Sequence, residues 1–459
     1  MDSSTVYFEN CNDYLQQIIS IISFDELKKL SKEYDFIKRE RTLNLKNSIS
    51  LLAYAAQNIG KATLTEYASF IEKISEKSIS KQSVAKHFSA NLVAFTKALL
   101  ERVISKQIQI KTNKPSKFKK IMLIDSTGFE VCSKFKPFFE GSGGGGTGSS
   151  LKIQYAFDLL SGCISMFDIT NGITPDYNYS LKQNIEKDCL YLQDLGYFTI
   201  AGFQKIQAEG GYFISKYNTS CNLYSSQKKG DKVDFIAFVA MFLTFNQKSS
   251  SGNYYLSSKP NHRLEVRLVI FSVPKEVSEA RLTKRKKKGK KKSKPSEKTI
   301  ANSKVSIYIT NVPEDILSDE QIKSIYRLRW AIELTFKTWK STFNLAEIKQ
   351  MSLNRFLGLF YFKLILLLIG LNVVTSIIKE AKNNDVYLSP QSCCSIFKAH
   401  FANDFYKYIL EKNQNELTHL ITKMKIFMLK HCKIARNKKR ISSTDIINSI
   451  TLEKPQPLN

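Results

Sequence analysis

The sequence predicts an α/β protein, with a central segment of buried strands between two helical regions. Three observations carry this. Residues 121–124 (IMLI) form a short continuous apolar run, the pattern of a strand buried on both faces. Residues 151–158 and 163–170 read as two strands joined by a tight turn containing Ser161 and Gly162. Before residue 116 and after residue 345 the apolar residues read as helices instead. With 459 residues the chain has room for more than one domain.

Residues 1–115 form the helical N-terminal region. Residues 65–74 (TEYASFIEKI) give a short amphipathic helix, and a polar break (SEKSISK) follows. A longer helix then carries Val84, Phe88, Leu92, Phe95, Leu99 and Val103 as one apolar stripe. Helix, break, helix in a basic chain permits a DNA-binding unit, and equally permits a plain helical bundle. From 116 to 216 the expected order is three strands, helix, strand, helix, strand. The first strand runs into Asp125, and the hairpin follows a glycine-rich tract at 141–148. A helix is expected over 180–188, and residues 189–193 (CLYLQ) form a strand ending in Asp194. A helix near 198–209 and a strand at 211–216 complete this part.

Residues 217–305 read as an inserted β-rich module, with strand-like runs at 264–273 and 304–310. Between them, Arg281 to Lys298 holds eleven basic residues and one acidic residue, which predicts a mobile basic loop. Residues 306–345 return to the core. They contain a helix over 318–341, opened by Ser318 and Gln321 at capping-box spacing. Residues 346–459 are helical again, with eight basic and no acidic residues from Lys423 to Arg440.

Lys and Arg total 69 against 41 Asp and Glu, a net charge of +28. A partner carrying many phosphates explains that excess, and an anionic membrane surface is the competing reading. The apolar stretch 356–378 has the length of a membrane span. Lys363, Asn372, Thr375 and Ser376 interrupt it, and it reads better as the buried helix of a large core. The eight cysteines form no CxxC pair, and with five scattered histidines no zinc spacing arises. A reducing compartment without disulfides is expected, and no signal peptide is seen. Gly143 to Ser149 approaches a phosphate-binding loop, but its lysine is missing.

The helix at 318–341 is the most informative segment. At 100° per residue, Tyr326, Arg329, Trp330, Glu333, Lys337 and Lys340 fall on one stripe, and Ile325, Leu328, Ile332, Phe336 and Trp339 on another. The helix therefore packs by one side and offers a cationic side with one carboxylate. A surface ion-pair ladder has the same spacing, but an ordinary solvated face rarely holds Tyr and Trp. Asp125 and Asp194 each end an apolar run, where ligands gather in open sheets. Either one alone also suits a turn or cap. Two aspartates and a glutamate supply hard oxygen ligands for Mg²⁺, and two such ions about 3.5–4 Å apart suit in-line phosphoryl transfer.

Tyr326, Arg329, Glu333 and Lys340, within YRLRWAIELTFKTWK, match a Tyr–x2–Arg–x3–Glu–x6–Lys signature in full. With LIDSTGF around Asp125, QDLGYF around Asp194, and the segments GGYFISK and TNVPEDILSDEQI, the chain resembles prokaryotic insertion-sequence transposases of the DDE type. The resemblance spans roughly residues 45–380. It implies a ribonuclease H-like catalytic core, interrupted before the catalytic Glu by a β-rich insertion. It implies that Asp125, Asp194 and Glu333 bind two Mg²⁺ ions, which Mn²⁺ can replace. Tyr326, Arg329 and Lys340 would contact DNA near the scissile phosphate, joined on the same stripe by Lys337 and Trp330, the last a candidate to stack on a displaced base. Such proteins cut at the terminal repeats of their own element and join the 3′ ends to a target, usually as dimers across paired ends. A cytoplasmic, nucleoid-associated enzyme without a membrane anchor is expected. The chain departs from the pattern in its long Asp194–Glu333 gap and its lysine tract. The alternative is a catalytically silent protein that only occupies element ends. The presence of all three carboxylates argues against it.

Overall fold

The computed structural model describes residues 6–8, 11–108, 116–141, 147–182, 184–227, 231–257, 263–288, 295–345, 350–435 and 446. The chain starts with β1 (Val6–Phe8), α1 (Cys11–Ile21), α2 (Phe24–Glu33), α3 (Leu45–Gln57), α4 (Leu64–Ser75), α5 (Lys81–His87), α6 (Ala90–Ile104) and β2 (Lys106–Ile108). The last of these pairs parallel with β1. The single helix expected through 84–103 is thus two. The first ends at His87 with Phe88 as its C-cap, and Ser89 caps the second, its hydroxyl accepting from the Leu92 N–H at 3.3 Å. The apolar stripe survives the break, and all six of its residues are buried.

A nine-stranded sheet fills the centre of the molecule. Its elements in chain order are β3 (Ile121–Glu130), β4 (Ser150–Asp158), β5 (Ile164–Asn171), α7 (Tyr177–Ser180), β6 (Leu190–Gln193), α8 (Ile200–Ala208), β7 (Tyr212–Lys216), β8 (Asn222–Tyr224), α9 (Phe235–Thr244), β9 (Ser249–Ser257), β10 (Leu264–Ser272), α10 (Lys275–Lys288), α11 (Glu297–Ser303) and β11 (Val305–Thr310). The strand order is β5-β4-β3-β6-β7-β11-β10-β9-β8. Only the β3/β6 and β6/β7 pairs are parallel. Apolar residues of β3 alternate between two cores. Ile121 and Leu123 join the one shared with the N- and C-terminal helices, and Met122 and Ile124 join the one under α8 and α9.

Three expectations need correction. Asp125 does not end its strand, because β3 continues to Glu130 along β4. The helix over 180–188 is absent among the described residues of that stretch. Leu181 caps the short α7, and the Glu186 N–H donates to the Tyr191 hydroxyl at 2.8 Å while its carboxylate pairs with Lys120. The strands of the inserted residues 217–305 are continuous with those of the core. β8, β9 and β10 extend the main sheet, since β11 pairs with β7 on one side and β10 on the other. β11 pairs the edge of β7, and the inserted β10 in turn pairs the edge that β11 would leave exposed. The basic tract is helical as far as Lys288, not a loop. Residues 289–294, like most of the glycine tract and residues 436–440 of the C-terminal basic run, lie outside the described residues.

The remaining elements are α12 (Asp319–Tyr326), a 3₁₀ turn at Arg327–Arg329, α13 (Trp330–Ser341), α14 (Leu353–Asn383), α15 (Pro390–Ile396), α16 (Ala402–Glu411) and α17 (Gln414–His431). The capping box at Ser318 and Gln321 is present. Buried Arg267 of β10 pairs with Asp319 and donates to the Leu317 carbonyl at 2.7 Å, which fixes the start of α12 to the sheet. The apolar stretch lies within α14, a 31-residue helix. Its most apolar window has a mean hydropathy of 2.2 and is 78% buried inside the protein against α6 and α3. Gly358 lets α14 approach α6 closely, since a Cβ there would lie 2.1 Å from Leu92 Cδ2. Cys132, Cys163, Cys189, Cys221, Cys393, Cys394 and Cys432 are free.

Candidate functional site

The parallel ladder between β3 and β6 ends at the Ile124–Gln193 register pair. Asp125 and Asp194 are the next residues on each strand, so the fold sets them side by side. Asp125 lies on the sheet face of Ile121 and Leu123, toward α13. Asp194 opens a 3₁₀ turn at Leu195–Tyr197.

The helical unit lies across this point and is tied at both ends. The Tyr326 hydroxyl donates to the Gln193 carbonyl at 3.3 Å, just before Asp194. Lys340 Nζ donates to the Gly128 carbonyl of β3 at 2.6 Å. Between these anchors Trp339 and Phe336 pack on Tyr155 of β4, with ring centroids 5.1 and 5.8 Å apart. All five residues of the apolar stripe are buried. The helix expected over 318–341 is interrupted by the 3₁₀ turn, which delivers Arg329 into the site and starts α13 with Glu333 in its first turn.

Arg329 is where the three carboxylates meet. Its Nη1 lies 3.3 Å from Asp125 Oδ2, its Nη2 lies 2.6 Å from Glu333 Oε1, and its Nε lies 3.9 Å from Asp194 Oδ1. That Nε is buried and has no hydrogen-bond partner, so the guanidinium is incompletely satisfied. Burial pushes the Asp125 carboxyl up to about 6. Its bond from the Ser126 N–H and the Arg329 charge oppose this, and Asp194 and Glu333 add to it. The Asp125 side chain is 16% exposed against 34% for Glu333 and 45% for Asp194. The site therefore opens to solvent on the side of the last two.

The other residues expected to face DNA divide into two groups. Trp330 and Lys337 are exposed. Tyr326 is buried, and Lys340 is half-buried with its pKa lowered by burial. Sequence reasoning missed Lys216 at the end of β7. Its ammonium sits 5.9 Å from the Tyr326 ring centroid, and surrounding protein, with Arg281 and Arg329, lowers its pKa. Its place after an apolar strand, like that of Asp194, was the available signal. Arg327 is a further exposed cation in the 3₁₀ turn.

Three carboxylates with hard oxygens are the donor chemistry of a divalent cation. Among the described residues no three acidic, His or Cys side chains are grouped as a metal cage. The guanidinium stands among the oxygens that such an ion would take. The three carboxylates fit a divalent metal in their donor chemistry, and the Arg329 guanidinium is the cation they hold here.

Residues 116–369 match a family model described as a transposase DDE domain. A transposase for insertion sequence element IS1151 from Clostridium perfringens is 30% identical over 415 residues, covering 83% of this chain and 87% of that one. A transposase for insertion sequence element IS231F from Bacillus thuringiensis subsp. israelensis is 26% identical over 439 residues, with 91% of each chain covered. A putative transposase InsL for insertion sequence element IS186A from Escherichia coli K12 is 34% identical over 104 residues, 22% of this chain and 26% of that one. With more than half its length matched to the domain, and most of its length matched to these relatives, this chain belongs to the DDE transposases of insertion sequences, enzymes that act on DNA with a divalent metal.

Proposed function

We propose that this chain is a transposase of the Tyr–x2–Arg–x3–Glu–x6–Lys group, cutting at the terminal repeats of its own element and joining the 3′ ends to target DNA. The observation that carries the reading is the meeting of Asp125, Asp194 and Glu333 on one guanidinium, where the parallel pairing of β3 and β6 ends. In this reading β3 to β7 and α12 to α13 make up a ribonuclease H-like core, and residues 217–305 are the insertion that widens its sheet. Asp125, Asp194 and Glu333 hold two Mg²⁺ ions, or Mn²⁺ in their place. Bound there, the ions would activate the attacking water or 3′-hydroxyl and stabilise the leaving oxygen.

The chain's own residues have distinct tasks. Arg329 balances the carboxylates before loading and then offers its charge to a DNA phosphate beside them. Lys337, Lys216 and Arg327 hold the backbone on either side, and Trp330 presents an exposed ring on which a displaced base can stack. Tyr326 and Lys340 act at the same place, their present bonds holding the helix on the sheet beside the DNA path. Residues 1–115 read the element ends. Within them α4 and α5 form a helix–turn–helix, with Lys81, Gln82, Ser83 and Lys86 exposed on α5. A homodimer on paired ends, acting in the cytoplasm at the nucleoid, completes the reading.

The test uses DNA that carries the flanks of the gene, incubated with the purified chain with and without Mg²⁺. Cleavage at the element boundary is expected, and Asp125→Ala, Asp194→Ala and Glu333→Ala should each abolish it. Binding without cleavage by the unaltered chain would make it a catalytically silent occupant of the ends. Cleavage surviving in any one variant would remove that residue from the site.

A further inference from the structure

We propose that Asp176 is a positioning residue that sets the separation of Asp125 and Asp194, working through a buried polar frame under the site. The inference rests on reading those two aspartates as metal ligands. Main-chain pairing between β3 and β6 stops at Ile124 and Gln193, one residue short of both aspartates. Beyond that point no ladder fixes the distance between the two backbones. A side chain from elsewhere has to do it.

Asp176 lies past β5 and reaches both segments. Its Oδ1 accepts from Ser126 Oγ at 2.9 Å, next to Asp125. The same oxygen accepts from Gln154 Nε2 and Lys152 Nζ, each at 3.1 Å, on β4. Its Oδ2 faces Gly196, two residues after Asp194, where a Cβ would lie 3.0 Å away. Fully buried Gln154 in turn accepts from the hydroxyl of buried Tyr197, three residues after Asp194. Lys152 balances the charge and also donates to the Thr174 carbonyl at 2.7 Å. One carboxylate thus bonds β3 beside Asp125 and bonds β4, and Gln154 of β4 carries the link to Tyr197 in the turn after Asp194. Groups that orient metal ligands in this way typically change metal affinity about 10–100-fold when removed.

The test is direct Mn²⁺ binding to the DNA-free chain, by calorimetry or by the spectroscopic signal of free Mn²⁺. Asp176→Ala should weaken binding about 10-fold, and Asp176→Asn, which keeps the acceptor oxygen, should recover most of the loss. Thermal unfolding confirms that each variant is folded. If Asp176→Ala does not fold, Gly196→Ala gives a second reading, since its methyl presses on Asp176 Oδ2 from the Asp194 side. Unchanged Mn²⁺ affinity in folded Asp176→Ala, with Asp125→Ala abolishing binding, would overturn the role of Asp176 alone. Unchanged affinity in Asp125→Ala would overturn the ligand assignment beneath it.

Discussion

Replacing Arg329 with glutamine should tighten divalent metal binding in the absence of DNA. The guanidinium now makes charge-assisted hydrogen bonds to Asp125 and Glu333, at 3.3 and 2.6 Å. A cation reaching those oxygens must displace both. Each such bond contributes about 1.5–3 kcal/mol net. Glu333 is about one-third exposed, so its share is reduced by solvent screening. The Asp194 contact at 3.9 Å, to a side chain 45% exposed, adds little. With about 1.5–3 kcal/mol for the Asp125 bond and up to about 1 for the screened Glu333 bond, a total of about 1.5–4 kcal/mol corresponds to roughly 10–1000-fold in affinity. The assay is a Mn²⁺ titration of the chain and of Arg329→Gln at pH 8, where Asp125 is ionised. Equal or weaker binding in the variant would refute the view that Arg329 holds the metal position. Cleavage should still fall in Arg329→Gln, because the same charge is assigned to a DNA phosphate.

Other outcomes follow from particular contacts. The raised Asp125 pKa means that the folded chain holds this proton more tightly than the unfolded chain, whose carboxyl titrates near 3.8. Ionising Asp125 therefore costs stability as pH rises through this window, from about 4 to about 6. Metal-free Asp125→Asn should be the more stable form at pH 7.5, by about 1–3 kcal/mol, the opposing Arg329 charge being already part of that shift. The difference should vanish below pH 4 in urea unfolding. Gly358→Ala puts a methyl against Leu92 and should cost about 1–3 kcal/mol, read as a lower Tm. Lys337→Ala should weaken end binding without changing sequence preference, and reduce the slope of log affinity against log salt by about one. Lys81→Ala and Lys86→Ala on α5 should instead reduce discrimination between element ends and unrelated DNA in competition binding.

Much of the candidate site was legible because its residues lie on strongly patterned elements. The IMLI run marks a buried strand, and the two stripes of YRLRWAIELTFKTWK separate the packing face from the charged one. The apolar runs leading into Asp125 and Asp194 mark those two carboxylates, and the charged stripe with its matched signature marks Glu333. Less visible was what depends on pairing at a distance. Nothing local in Val305–Thr310 says that it lies between β7 and β10 and merges insertion and core into one sheet. The continuation of β3 past Asp125 was hidden because Ser126, Thr127 and Gly128 interrupt the apolar run, while β4 pairs with them throughout. The 3₁₀ turn at Arg327–Arg329 carries no Gly or Pro to announce it. Asp176 carries no local signal, because its partners are 22 to 50 residues away in sequence. Hydropathy alone could not separate α14 from a membrane span, since a helix buried on nearly all sides and one surrounded by lipid have the same composition.

The most direct measurement of the metal assignment is localised cleavage of the protein itself. Fe²⁺ bound in place of Mg²⁺, with ascorbate and peroxide, releases hydroxyl radicals that cut the chain near the ion. Fragments ending close to residues 125, 194 and 333, lost on adding excess Mg²⁺ and in Asp194→Ala, are expected. Cuts confined to other segments, or the same three cuts persisting in Asp194→Ala, would contradict a metal centre built from these carboxylates.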